Sequence, residues 1–236
     1  MCGKFTAMMT WREYVELADA TGAGEGDLPL IDPETMLRTF APMSTVPMLH
    51  LGPVGQRRIT PMRWGWFNHK IADPRRGFSH LHARAESIDT APTWMEAFAE
   101  TRGVVFTKEF NIGEDLPNGK TKQSICRRTD GLPVAIAVIY SVWEHAVAGK
   151  LHTFVMVTTE ACPPLSERDS RMPALLRDPA EIAAWLGETK ITPAEVKALL
   201  RPFDGALVMR EQDPPKLSKS PKPPRPERPA KQDRLF

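Results

Sequence analysis

The residue with the most distinctive chemistry stands at position 2, in Met1-Cys2-Gly3-Lys4-Phe5. Small residues there permit removal of the initiator methionine, and Cys2 then carries a free α-amine and a thiol on adjacent carbons. No internal cysteine has that pair. The amine condenses with an aldehyde to an imine, and the thiol closes onto the imine carbon to give a five-membered thiazolidine. With a reference pKa of about 7.7–8.0, the amine keeps a useful neutral fraction at pH 7. The thiolate is the stronger nucleophile and needs an electropositive or basic neighbour. Against this stands the plain alternative that position 2 merely follows the start codon.

A second constellation lies between Arg57 and Arg84. Seven basic residues (Arg57, Arg58, Arg63, Lys70, Arg75, Arg76 and Arg84) face a single acid, Asp73, with Trp64, Trp66, Phe67 and Phe78 interleaved. Basic side chains track phosphates while aromatic faces stack on unpaired bases, which is how single-strand binders work. Arg84 is the best phosphate clamp among them, since a guanidinium offers bidentate donors. Its alternative role is an ion pair with Glu86.

The elements that must position these residues read as α+β. Helices are expected over Thr10 to about Ala23, with Trp11, Tyr14, Val15, Leu17 and Ala18 inward and a Thr10-x-x-Glu13 capping box, and over 93–101, 180–186 and 192–200, the last capped by Thr192-Pro193-x-Glu195. Strands are expected at 48–51 and 58–62 around a Gly52-Pro53-Val54-Gly55 turn, and at 103–107, 133–140 and 153–159. Strands and helices do not alternate regularly, so a mixed or antiparallel sheet dominates.

The chain has 236 residues, 42% of them hydrophobic, and a net charge of +2. Residues 2–210 are read as one domain, and 211–236 as a disordered tail. From Pro214 onward seven Lys/Arg face two acids, so the tail carries +5 and the preceding 213 residues −3. Seven prolines and few apolar residues leave it unable to bury enough surface to order itself. It solubilises the chain or tethers it loosely to nucleic acid. Gln232-Asp233-Arg234-Leu235-Phe236 resembles the Gln-x-x-Leu-Phe peptide with which bacterial repair proteins dock on the replicative sliding clamp. The three cysteines, Cys2, Cys126 and Cys162, form no close pair. That argues against a disulfide framework or zinc site and for a reducing, cytoplasmic setting. No apolar run of about 18 residues exists to span a membrane.

With Cys2 in hand, further segments fall into order: Phe40-Ala41-Pro42, Pro61-Met62-Arg63-Trp64-Gly65-Trp66, His82-Ala83-Arg84-Ala85-Glu86-Ser87 and Arg171-Met172-Pro173-Ala174-Leu175-Leu176. Together they resemble the SOS response-associated peptidase (SRAP) family of abasic-site processing proteins, over residues 2 to about 205. The resemblance implies a curved, barrel-like β-core with flanking helices and a positively charged groove ending at the cysteine. It implies binding to abasic sites in single-stranded DNA near replication forks. It further implies capture of the ring-opened sugar aldehyde on Cys2 as a thiazolidine, self-cleavage before the cysteine, and abasic-site lyase activity or crosslink reversal. No cofactor or metal is implied, and a monomer is expected. Arg57, Arg58, Arg63, Trp64, Trp66, Arg84 and Arg171 are the expected DNA contacts.

The chain departs from the family pattern at the chemistry. His82 stands where the family has asparagine, and Asp169 where it has the histidine before x-Arg-Met-Pro. The family's glutamate aligns with Ile112; Glu114 and Glu109 lie within a few residues, and Glu114 is the preferred substitute. The expected catalytic set is therefore Cys2, His82, Glu114 and Asp169, the imidazole having moved from one segment to the other. Two alternatives remain open: a relative that binds single-stranded DNA without covalent capture, and an N-terminal-cysteine glutamine amidotransferase. The latter lacks its expected His-Asn-Gly segment.

Overall fold

The computed structural model describes residues 2–19, 38–67, 80–117, 119, 121–145 and 149–211. The expected helix beyond Asp19, the extended chain over 28–37, Lys70, Arg75, Arg76 and Phe78, and the basic tail with Gln232–Phe236 lie outside the described residues. The strands in chain order are β1 (Cys2–Thr6), β2 (Thr39–Phe40), β3 (Thr45–Leu51), β4 (Arg57–Trp64), β5 (His82–Arg84), β6 (Arg102–Thr107), β7 (Glu109–Asp115), β8 (Thr121–Arg128), β9 (Val134–His145), β10 (Gly149–Glu160), β11 (Arg171–Pro173), β12 (Leu175–Leu176) and β13 (Leu207–Glu211). The helices are α1 (Trp11–Ala18), α2 (Met95–Glu100), α3 (Pro179–Leu186) and α4 (Pro193–Ala198).

The core is a closed mixed barrel. The β3–β4 hairpin turns at Gly55, whose φ of +80° suits glycine. β3 pairs with β6, β6 with β9, and β9 with β10, all antiparallel. The ring closes where β10 meets β4 in parallel at Thr153↔Arg63 and Phe154↔Trp64. Gly103 of β6 is required where β6 meets β3, because a Cβ on it would stand 2.9 Å from both the Leu49 carbonyl oxygen and Met48 Sδ. Apolar residues alternate between the two faces of the wall, with Met48, Ile136, Val138, Phe154 and Met156 on one face and Leu49 and Val104 on the other, all fully buried. A second antiparallel sheet, in the order β13-β8-β7-β1-β2, packs beside the barrel, and the buried residues of both form one hydrophobic cluster.

The α+β barrel-like core agrees with the sequence expectation, and so do the principal strands and four helices. Both capping boxes form: the Thr10 side chain accepts from Glu13 N while Glu13 accepts from Thr10 N, and Thr192 and Glu195 do the same. Helix α1 differs in one respect. Tyr14 and Ala18 are buried as expected, but Leu17 is 40% exposed, because the helix turns that position away from the barrel. Strands β7, β8 and β13 were not read from the sequence, since their polar and charged residues interrupt the apolar pattern.

Helix α1 is pinned by the buried hydroxyl of Tyr14, which accepts from Phe106 N at 3.5 Å. Tyr14 Oη donates to the Pro47 carbonyl at 2.7 Å, and burial pushes the phenol's pKa up. Tyr14→Phe leaves that carbonyl unsatisfied. The expected loss is about 1–2 kcal/mol, read as a drop in Tm of roughly 2–8 °C for a domain of this size. A thermal melt of the two proteins checks it.

Candidate active site at the junction of the two sheets

Cys2 opens β1, on the second sheet, directly opposite Ile112 of β7. The register then shifts between Cys2 and Lys4, so Gly3 forms a bulge. Bulges at strand ends re-aim side chains, and Cys2 is left 1% exposed. Its thiol donates to the Lys4 carbonyl at 3.4 Å. Burial pushes the thiol pKa up to about 12, with backbone groups of Lys4 and Asn111 pulling weakly the other way. At neutral pH this sulfur is a thiol.

The barrel reaches this cysteine through His82, the first residue of β5. That three-residue strand runs parallel to β10, with His82 beside Met156. The His82 Nε2 lies 2.8 Å from the Cys2 carbonyl oxygen. A carbonyl only accepts, so Nε2 carries the proton. Burial lowers the pKa of the imidazole, while the Cys2 carbonyl and the Asp169 charge raise it. The net direction is down, which leaves His82 neutral at pH 7 with Nδ1 as its free basic lone pair. Asp169 lies on the loop before β11, where Oδ1 accepts from Arg171 N at 3.0 Å.

Trp64 forms the floor. Its ring stands edge-on to His82 at 6.1 Å and stacks on Phe154, and Nε1 donates to the Leu81 carbonyl at 3.1 Å. It is fully buried, and Trp66 is 4% exposed against Trp94. Neither ring presents a free face, so the expected stacking platform is not formed by these two residues. They occupy inward positions at the end of β4, where large apolar side chains close the barrel.

The expected carboxylate is engaged by an arginine. Glu114 lies two residues beyond Ile112 on β7, and its Oε2 accepts from Arg168 Nη1 at 2.9 Å. It borders an open cleft of about 600 Å³ with Gly3, Gln123, Arg168, Asp169 and Ser170. The residue facing Cys2 across the ladder is Ile112, which has no proton to move. Nothing in the sequence pattern marked Arg168, whose guanidinium ties Glu114 to Glu211.

The basic residues divide by position. Arg57 sits at the start of β4, about 20 Å along the strand from Trp64. It is spent on Glu188, at 2.7 and 2.8 Å, and on the Ala18 carbonyl. Arg58 is exposed at that same far end. Arg63 and Arg84 stand at the cysteine's end, Arg63 with its guanidinium 5.5 Å from the Phe67 ring centroid. Arg84 is exposed, and its side chain makes no hydrogen bond among the described residues. Arg171 makes a bidentate pair with Glu86 at 2.6 and 3.0 Å. No group of three or more His, Cys, Asp or Glu suited to a metal occurs among the described residues.

A buried cysteine at position 2, held by a histidine from the neighbouring barrel, is the centre of the site. Residues 1–213 match the family described as SOS response associated peptidase (SRAP), and the chain belongs to that family. It is 25% identical over 205 residues to the abasic site processing protein YoqW of Bacillus subtilis (strain 168), covering 86% of this chain and 88% of that protein. It is 30% identical over 179 residues to the abasic site processing protein HMCES of Rattus norvegicus, spanning 63% of this chain and half of that protein. Solved structures share the fold at 19% identity. A protein from Bacteroides thetaiotaomicron superposes with a TM-score of 0.78, over 94% of this chain and 97% of that one. One from Bordetella bronchiseptica gives 0.69, over 90% of this chain and 100% of that one.

The pKa of His82, followed by NMR titration of its ring, is expected below the ordinary histidine value, and lower still in Asp169→Asn, which removes a charge that raises it. Because the folded value is depressed, the stability tied to this group is present above its unfolded pKa of about 6.5 and is lost as pH falls.

Proposed function

We propose that this protein binds abasic sites in single-stranded DNA and captures them covalently through Cys2, shielding the lesion. The observation that carries the reading is the fixed backbone of Cys2, seated on His82 at 2.8 Å at the end of a strand within a family of abasic-site processing proteins. Once Met1 is removed, the neutral α-amine attacks the aldehyde of the ring-opened sugar, forming a C–N bond. Loss of water gives the imine. The thiol then adds across it: sulfur bonds to carbon, and its proton ends on nitrogen. One water leaves in total, and no oxidant or cofactor is consumed.

A thiol pushed up to about 12 favours this order, with the amine first and the sulfur second. Holding both groups on one residue makes the closing step intramolecular, which needs little further catalysis. His82 fixes the Cys2 carbonyl and with it the amine's direction, and Asp169 supports the imidazole. Self-cleavage before Cys2 and lyase activity demand stronger proton transfer. With Ile112 opposite the cysteine and Glu114 tied to Arg168, these activities are expected to be slow. SRAP membership stands against the amidotransferase alternative.

A second reading has its own support. The 1% exposure of Cys2 and the apolar Ile112 facing it also suit a relative that binds single-stranded DNA without covalent capture. Denaturing gel electrophoresis separates the two. Protein with Met1 removed is mixed with single-stranded DNA carrying one abasic site, beside Cys2→Ala protein and intact DNA. A shifted band that survives boiling and vanishes in both controls is the expected result. Its rate should climb between pH 6 and 8 as the α-amine, of reference pKa about 7.7–8.0, loses its proton. Binding in a native gel with no boiling-resistant band would establish the non-covalent reading instead.

A further inference from the structure

A cleft of about 270 Å³ lies between helix α2 and strand β9, outside the site at Cys2. Glu96 and Glu100 stand on its rim, one helical turn apart on α2. Both are exposed, and neither side chain has an ion pair or hydrogen bond among the described residues. Like charges at that spacing repel each other on a helix, a cost that a bound cation removes. Trp66 lines the same cleft at 4% exposure, and its indole Nε1 is buried with no hydrogen-bond partner. A buried donor left unmatched is unfavourable, and an incoming carbonyl would satisfy it. Pro92, Tyr140 and Val142 add apolar and aromatic wall. These features suit a chain that brings cations, free carbonyls and small apolar rings together.

The sequence contains such a segment. From Lys216 to Arg234 a cation stands at every third residue, with Lys219, Lys222, Arg225, Arg228 and Lys231 between. Pro221, Pro223, Pro224, Pro226 and Pro229 alternate with them. Polyproline II has three residues per turn, so in that conformation all these cations fall along one edge, about 9 Å apart. A helix or a strand would scatter them over several faces. Polyproline II makes no internal hydrogen bonds, which leaves its carbonyls free to accept, and such ligands dock in aromatic-lined grooves. The reach is sufficient. Glu211, the last described residue, pairs with Lys122 and Arg168, and Arg168 borders the cleft beside Gly3. From Cys2 the path runs through His82, Met156 and Val138 to Tyr140, across strands about 4.8 Å apart. Residues 212–222 extend about 34 Å at 3.1 Å each.

We propose that this cleft is the docking site for the chain's own segment 221–228 in polyproline II form. Glu96 and Glu100 hold its cationic edge, and the Trp66 N–H donates to one of its carbonyls. Cations paired in this way are withheld from phosphate.

The test uses the full chain and two readouts, hydrogen exchange of the Trp66 indole N–H by NMR and carbodiimide coupling of carboxylates to lysine amines. The wild-type indole is expected to exchange about tenfold more slowly than in the triple variant Lys222→Gln, Arg225→Gln, Arg228→Gln, the factor for one hydrogen bond of ordinary net strength. Glu96→Gln with Glu100→Gln, at two exposed positions, is expected to lose the same protection. Arg225→Pro with Pro226→Arg keeps composition and charge but breaks the three-residue period, and is expected to lose it too. Coupling is expected to join Glu96 or Glu100 to Lys219 or Lys222 within one chain, with loss of one water per amide. It needs no variant, so it decides even where a substitution disturbs the fold. Indole exchange indifferent to the tail variants, or full protection by the tail of broken period, overturns the proposal. Coupled peptides found only between two chains overturn it as well, and assign the cleft to a second copy.

Discussion

The site depends on one hydrogen bond between two sheets. Cys2 belongs to the edge of the second sheet and His82 to a short strand on the barrel wall, and the 2.8 Å contact from Nε2 to the Cys2 carbonyl fixes one against the other. A chain end normally frays. Here the first described residue is paired in a ladder with Ile112, sealed by burial and hydrogen-bonded by an imidazole. In the proposed capture, with Met1 removed, an amine and a thiol held on such a residue spend little entropy in finding a common carbon.

That contact in turn needs the barrel closed where it is. The parallel register of β10 with β4 brings Trp64 next to Phe154, and the Trp64 indole N–H then catches the Leu81 carbonyl at the entrance to β5. The same strand β10 continues into its pairing with β5 and with β11. A single long strand thus sets the positions of His82, Arg84 and Arg171. The tryptophans that looked like base-stacking platforms are the packing that makes this possible.

The electrostatics follow from burial. Desolvation raises the thiol of Cys2 and lowers the imidazole of His82, so both are neutral near pH 7. A neutral thiol and a neutral histidine suit the proposed condensation, which the amine begins. Two of the carboxylates nearby are paired with arginines: Glu114 with Arg168, and Glu86 with Arg171. Such pairs fix geometry more than they add stability, since partly exposed ion pairs contribute little.

The sequence alone determined a good deal. The Met-Cys-Gly start singled out Cys2 as the candidate reactive residue. The ordered motifs around Trp64, His82 and Arg171 pointed to the SRAP family. Thr10–Glu13 and Thr192–Glu195 fixed two helix starts, because capping is a local interaction between residues three apart. Long apolar strands such as β10 were legible for the same local reason. The second sheet was not, because β7, β8 and β13 carry charged and polar residues whose pairing is visible only across the ladder. Which carboxylate meets which cation was equally out of reach. Glu114 finds Arg168, and Arg171 finds Glu86, across 54 and 85 residues of chain. Side-chain type can be read from sequence, but whether an arginine is free or already engaged is decided only when distant strands come together.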